Sequence, residues 1–179
     1  MLEPDSEEAQ QVESSLAEAR KNASVSSAAG VTTQDQINQM VQRLADRLKA
    51  NPDDLEGWSR LARAYKVQGR LEQAENAYEK AIKLVNTDAN LLTQYADLLA
   101  MRAGNTLEGR PLAILDKALA INPKQPEALM MVASAAYRRA DYTLAITRWE
   151  TVLTVLEPGS RDAVLVSAEI AKARSKLGQ

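Results

Sequence analysis

The sequence predicts an all-α solenoid of stacked helix pairs, and three observations carry that prediction. Apolar and small residues recur at i, i+3, i+4 and i+7 in three stretches: Trp58-Leu61-Ala62-Tyr65, Leu92-Tyr95-Ala96-Leu99 and Leu129-Val132-Ala133-Ala136. That spacing is one face of an α-helix. A second set follows each of them: Ala74-Tyr78-Ala81, then Leu115-Ala118, then Ala145-Trp149-Val152. The pattern returns with a period of about 34 residues. Ala118 and Val152 are 34 apart, and Ala81 and Ala118 are 37 apart, so the middle unit is longer.

Helix, turn, helix at this period is the tetratricopeptide (TPR) signature when a large residue opens the first helix and small residues stand where helices cross. The expected fold is therefore a TPR superhelix: three helix-turn-helix repeats between N- and C-terminal capping helices, stacked into a right-handed solenoid with a concave face. Such a fold is built to hold a partner.

Taken in chain order, residues 1–31 read as a tether. Six acidic residues stand there against Arg20 and Lys21, and Ala23-Ser24-Val25-Ser26-Ser27-Ala28-Ala29-Gly30 has the small, polar composition of a linker. A polar helix over 6–21 that orders on a partner is the competing reading. The TPR domain is expected over 32–179. It opens with a cap helix over 32–50, where Thr33 and Gln36 match a capping box. Ile37, Met40, Val41, Leu44 and Leu48 form its apolar stripe, and Asn51-Pro52 ends it. Repeat one spans 55–86, with Gly69 at the turn, where a left-handed conformation suits glycine. Repeat two spans 88–123. A longer loop follows Ala103-Gly104-Asn105, and Pro111 suits the first turn of the second helix. Repeat three spans 126–158 and again opens on a proline. Pro158-Gly159 breaks the pattern, and Ser160 is a good N-cap for a last helix over 160–177. Val164, Ser167, Ile170, Ala171, Arg174 and Leu177 give that helix a narrow apolar face.

Composition excludes several functions. The chain has no cysteine and no histidine, which removes thiol nucleophiles, imidazole bases, disulfides and most transition-metal sites. Its 22 basic and 24 acidic residues leave a net charge of −2, without the concentrated basic face that nucleic-acid binding needs. No run of 18 apolar residues exists to span a membrane. Glu108 and Asp116 form no catalytic motif. The sequence points to no enzyme, no cofactor and no metal.

The lining of a TPR groove comes mainly from the first helix of each pair. Counting from the packing position that opens that helix, the expected lining residues are Ser59, Arg63 and Lys66 in repeat one. They are Thr93, Gln94 and Asp97 in repeat two, and Met130, Ser134, Tyr137 and Arg138 in repeat three. Methionine adapts to varied apolar shapes and arginine pairs with carboxylates, so this set suits an amphipathic helix. A solvated charged face is the plain alternative for Arg63, Lys66 and Asp97. Trp58, Trp149, Tyr65, Tyr78 and Tyr95 are expected to pack between helices. No Lys–Asn pair stands at the matching positions, so a carboxylate clamp for chaperone tails is not supported.

Several segments narrow the reading further. Asn51-Pro52-Asp53-Asp54-Leu55-Glu56-Gly57-Trp58 followed by Leu61-Ala62-Arg63-Ala64-Tyr65, Tyr95 to Ala100, Leu107-Glu108-Gly109-Arg110-Pro111, Ala118 to Pro123, Asp141-Tyr142 through Trp149-Glu150 and Leu156 to Ser160 together cover about residues 35–177. In combination they resemble the periplasmic TPR subunit of the bacterial cytochrome c maturation system, part of its haem-ligation complex. The resemblance implies a non-catalytic chaperone. It would bind the C-terminal helix of an apocytochrome c and present its Cys-x-x-Cys-His segment to the haem lyase and its companion subunits. It also implies a periplasmic domain of a membrane protein, anchored through a segment absent here, with residues 1–31 as the tether. A relative dedicated to nitrite-reductase haem attachment resembles it equally. The second reading is a generic TPR scaffold or adaptor for another complex.

Overall fold

A computed structural model describes residues 33–178, and the tether expected over 1–31 lies outside them. The described residues form eight helices and no strand. The chain divides into two units between Arg47 and Leu48, within the first helix, α1 (residues 33–50). In α1, Val41 and Ala45 are buried, whereas Ile37 and Met40 are exposed.

The second unit holds the helix pairs. Helices α2 (Leu55–Val67) and α3 (Leu71–Leu84) form the first, α4 (Ala89–Arg102) and α5 (Arg110–Ile121) the second, α6 (Pro126–Arg138) and α7 (Tyr142–Leu153) the third. A last helix, α8 (Arg161–Leu177), packs on α7. Each pair is internally packed, and α3 and α5 pass the contact on to α4 and α6. This is a TPR α-solenoid.

Local chemistry sets the helix starts. Asp54 accepts from the Gly57 N–H at 2.7 Å, Asp88 from Asn90 and Leu91, Asp141 from Leu144, and Ser160 from Ala163. Each satisfies donors that the first turn leaves without a helical partner. Gly57 is required by space: a Cβ there would lie 2.5 Å from Asp54 Oδ2 and 2.6 Å from Leu48 Cδ2. Trp58 is half-buried, and its indole N–H donates to the Pro52 carbonyl at 2.8 Å, tying α2 to the turn that precedes it.

The first helix of every pair ends in the same way. The Arg70 N–H reaches back to the Tyr65 carbonyl at 2.9 Å, Asn105 to Ala100 at 2.8 Å, and Asp141 to Ala136 at 2.9 Å. The preceding residue is left-handed in each case: Gly69 at φ 72°, Gly104 at φ 74° and Ala140 at φ 61°. These are Schellman closures, in which a residue of positive φ lets the chain reverse while the last carbonyls keep partners.

The apolar core of α4 to α8 is rich in alanine and leucine. Leu115, Leu129, Ala118, Ala133 and Ala136 are fully buried, and Trp149, Val152, Val166, Ile170 and Ala173 close it. Small residues allow helix axes to approach closely, and leucine fills what remains. Leu107 anchors the long loop between α4 and α5 into the same core. The buried stripe of α8 is Ala163, Val166, Ile170 and Ala173, not the expected one, and Val164 and Leu177 stand exposed at 60% and 52%. Both stripes have helical spacing. The alanines decide between them, because they let α8 lie close against its neighbour.

A candidate partner-binding face

Three clefts run along the face that the first helices of the pairs share with α8. The first lies between α2 and α4, has a volume of about 270 Å³, and is lined by Leu55, Glu56, Ser59, Arg63, Asn90 and Gln94 among others. The second, also about 270 Å³, lies between α4 and α6 and includes Asp97, Met101, Leu107, Met130, Ser134 and Arg138. The third, about 470 Å³, lies between α6 and α8. Met130 and Met131 line both the second and the third, so these two clefts share a wall.

Most of the residues expected in a groove stand on these clefts. Ser59 lines the first, with its hydroxyl donated to the Leu55 carbonyl at 3.0 Å. Arg63 lines it too, exposed and without a salt bridge among the described residues. Gln94 lines the far wall, accepts from the Tyr78 hydroxyl at 3.4 Å and donates to Asn90 at 3.2 Å. Asp97 lines the second cleft, and Lys66 pairs with it across from α2. Met130, Ser134 and Arg138 line the second cleft, and Arg138 has no salt bridge among the described residues.

Two expected residues are turned away. Thr93 is only 3% exposed, and its hydroxyl donates to the Ala89 carbonyl at 2.7 Å. Helix α4 is packed on more than one side, so a position that lines the groove in a less buried helix falls inside here. Tyr137 is half-buried against two rings, with centroids 5.3 Å from Tyr142 and 5.8 Å from Trp149. Sequence spacing missed the wall given by Met131 and by α8, whose Leu165 and Val166 line the third cleft. The signal was the adjacent pair Leu165-Val166, which a single narrow stripe cannot bury together.

Behind this face, a polar network joins the first two pairs. Glu75, only 8% exposed on α3, receives Arg110 at 2.7 Å and meets Arg102. Glu79 pairs with Arg110 at 3.0 Å and accepts from the Tyr95 hydroxyl at 3.1 Å. The Arg110 guanidinium also donates to that hydroxyl and lies 5.4 Å from the Tyr95 ring centroid. On the other flank of the long loop, Glu108 receives Arg139 at 3.0 Å. The loop is thus held from both sides, to α3 and Tyr95 through Arg110 and to the end of α6 through Glu108. Burial pushes the phenols of Tyr78 and Tyr95 up to about 12, with nearby Arg63 and Arg110 opposing the rise respectively.

Among the described residues no helix is long and apolar enough to cross a membrane. None of their acidic groups gathers into a set of three or more able to hold a metal ion.

The family follows from comparison. Residues 5–163 match the family model described as the cytochrome c-type biogenesis protein H TPR domain. The chain belongs to that family. It is 32% identical over 133 residues to the formate-dependent nitrite reductase complex subunit NrfG of Escherichia coli O157:H7, covering 74% of this chain and 67% of that one. It is 29% identical over 141 residues to the cytochrome c-type biogenesis protein CycH of Pseudomonas aeruginosa, covering 79% of this chain and 35% of the relative. The chain thus spans about a third of that relative's length. Among solved structures, MamA superposes with a TM-score of 0.66 at 19% identity, covering 82% of this chain and 76% of that one. That likeness concerns the fold alone.

Proposed function

We propose that this chain is a protein-binding module of cytochrome c biogenesis. It holds the C-terminal helix of an apocytochrome c in the clefts along α2, α4, α6 and α8, and presents the client to the haem lyase complex without doing chemistry itself. Residues 1–31 would tether this periplasmic domain to a membrane anchor. The observation that carries the reading is one face, in a member of this family, that offers both unpaired arginines and adaptable methionines. Arg63 and Arg138 are open to a carboxylate, while Met130 and Met131 offer polarizable apolar surface beside Arg138 and on toward α8. An amphipathic helix presents anchors at i, i+3, i+4 and i+7 to such a surface. Folding of the client segment on binding costs ordering entropy, so affinity stays moderate and release follows when haem drives the cytochrome to fold.

The test is a calorimetric titration with a peptide of an apocytochrome c C-terminal helix, against a Cys-x-x-Cys-His peptide and a scrambled helix. Saturable binding to the first alone, weakened about tenfold or more by Arg63→Glu or Met130→Glu, is the expected result. Binding to none of the three would transfer the weight to a scaffold for another complex.

A further inference from the structure

The third cleft differs from the other two. Val152 and Val166, 1% and 3% exposed, line it with Met130, Met131, Leu156 and the open Leu165. Two carboxylates, Glu127 and Asp162, line it as well. Neither forms a salt bridge among the described residues; Glu127 accepts only from the Gln125 amide, at 2.9 Å. Each sits in the first turn of its helix, where the macrodipole favours an anion. The dipole accounts for a carboxylate at each position. It does not account for both lining one apolar cavity that is continuous, through Met130 and Met131, with the rest of the face.

We propose that this cleft is an anchor pocket for a large apolar side chain of a bound peptide helix, flanked on that helix by lysine or arginine. The proposal rests on the reading that this face holds a partner helix, and adds the chemistry of one anchor to it. The volume of about 470 Å³ is ample for a leucine or aromatic side chain, and pockets of about 300–1,000 Å³ are usual for buried ligand groups. A cation one turn from the anchor reaches Glu127 or Asp162 while its stem covers Leu165, since lysine and arginine lay their methylenes on apolar surface.

Two amphipathic helical peptides of equal length test this on the full chain. Both carry one phenylalanine anchor. One places lysines a turn before and after it, the other glutamates. The lysine peptide is expected to bind at least tenfold more tightly, with the preference shrinking in high salt. Leu165→Asn, at a residue 56% exposed and so tolerant of a polar side chain, should weaken it at least fivefold. The double substitution Glu127→Lys with Asp162→Lys should reverse the preference, which a variant that merely unfolds would not do. Equal binding of the two peptides, or a preference that survives the reversal, overturns the proposal. The apocytochrome helix peptide is titrated in parallel. If it binds but ignores these substitutions, the pocket assignment fails and the client assignment stands. If the designed peptide binds and reverses while the apocytochrome peptide does not bind, the pocket stands and the client assignment fails.

Discussion

Where the first helix pair meets the second, Glu75 and Glu79 hold Arg102, Arg110 and the Tyr95 hydroxyl. Where the second meets the third and α8, the contact is Leu92, Ala96, Leu115, Ala118, Ala128, Leu129, Val132 and their neighbours. The first junction adds a buried charge network to its apolar contact, where the Tyr78 and Tyr95 rings lie 5.9 Å apart; the second is mainly alanine and leucine. The proposed binding face follows the same gradient, polar between α2 and α4 and apolar between α6 and α8. In a solenoid each pair leans only on its neighbours, so stability is a sum of local terms and each junction can be weakened by its own means. Ion pairs are directional and fix how the long second loop sits. Apolar packing is less directional and supplies most of the free energy.

The apolar junction should show the larger effect. Leu115 is fully buried, and Leu115→Ala removes several methylene groups and leaves a cavity. Urea unfolding followed by circular dichroism should report a loss of about 2–5 kcal/mol, nearly independent of salt. A loss under 1 kcal/mol would mean that the core collapses freely and that the two junctions are less different than their composition suggests.

The polar junction should respond less, and to salt. Glu75→Gln keeps the shape of the side chain and leaves Arg102 and Arg110 without their shared carboxylate. Both arginines are partly exposed and can rehydrate, so the expected loss is about 1–2 kcal/mol rather than the 3–5 of a fully buried pair. Salt should lower stability more in the parent protein than in the Glu75→Gln variant, which keeps only the Arg110–Glu79 pair of this network. Hydrogen exchange should quicken in α2 and α3 and leave α6 and α7 unchanged.

High pH attacks the same junction. Tyr78 and Tyr95 hold their protons up to about 12 in the folded chain, against 10 when free. A raised folded value means that the folded state binds more protons between these limits. The stabilisation is complete below pH 10 and is lost as pH rises through 12. The fall should be about 1–2 kcal/mol per tyrosine. Tyrosinate absorbance should rise together with unfolding, and Tyr78→Phe should flatten the alkaline limb.

The helices were legible because their signal is local: spacing, caps and glycine turns all act within a few residues. The junctions were not. Glu75 and Arg110 are 35 residues apart, Lys66 and Asp97 are 31 apart, and no periodicity shows which charges will meet. The burial of α8 was misjudged for a related reason. The expected stripe through Val164, Ser167, Ile170, Ala171, Arg174 and Leu177 ends on a large leucine but is interrupted by Ser167 and Arg174, whereas Ala163, Val166, Ile170 and Ala173 are all apolar and their alanines allow close approach. The same shift exposes Leu165, and with it the third cleft. Thr93 and Tyr137 were placed on the groove by counting along a generic repeat. The crowding of α4 and the ring cluster around Trp149 turned them inward.

The smallest expected effect has the opposite sign. The three Schellman closures are superposable in hydrogen bonding, yet two have glycine at the left-handed position and the third has Ala140. A left-handed L-residue costs about 1–2 kcal/mol, because its Cβ crowds the following carbonyl. Glycine avoids that crowding and loses about 0.5–1 kcal/mol of it back through its freer unfolded chain. Ala140→Gly should therefore stabilise the chain by about 0.5–1 kcal/mol, read as a higher urea midpoint with an unchanged slope. Ala140 is exposed and lines none of the three clefts, so peptide affinity should not change. A change in affinity would mean that the strained turn sets the tilt of α6 against α7, and with it the mouth of the apolar cleft. The contrast between the two junctions would then extend to how each end of the face is held open.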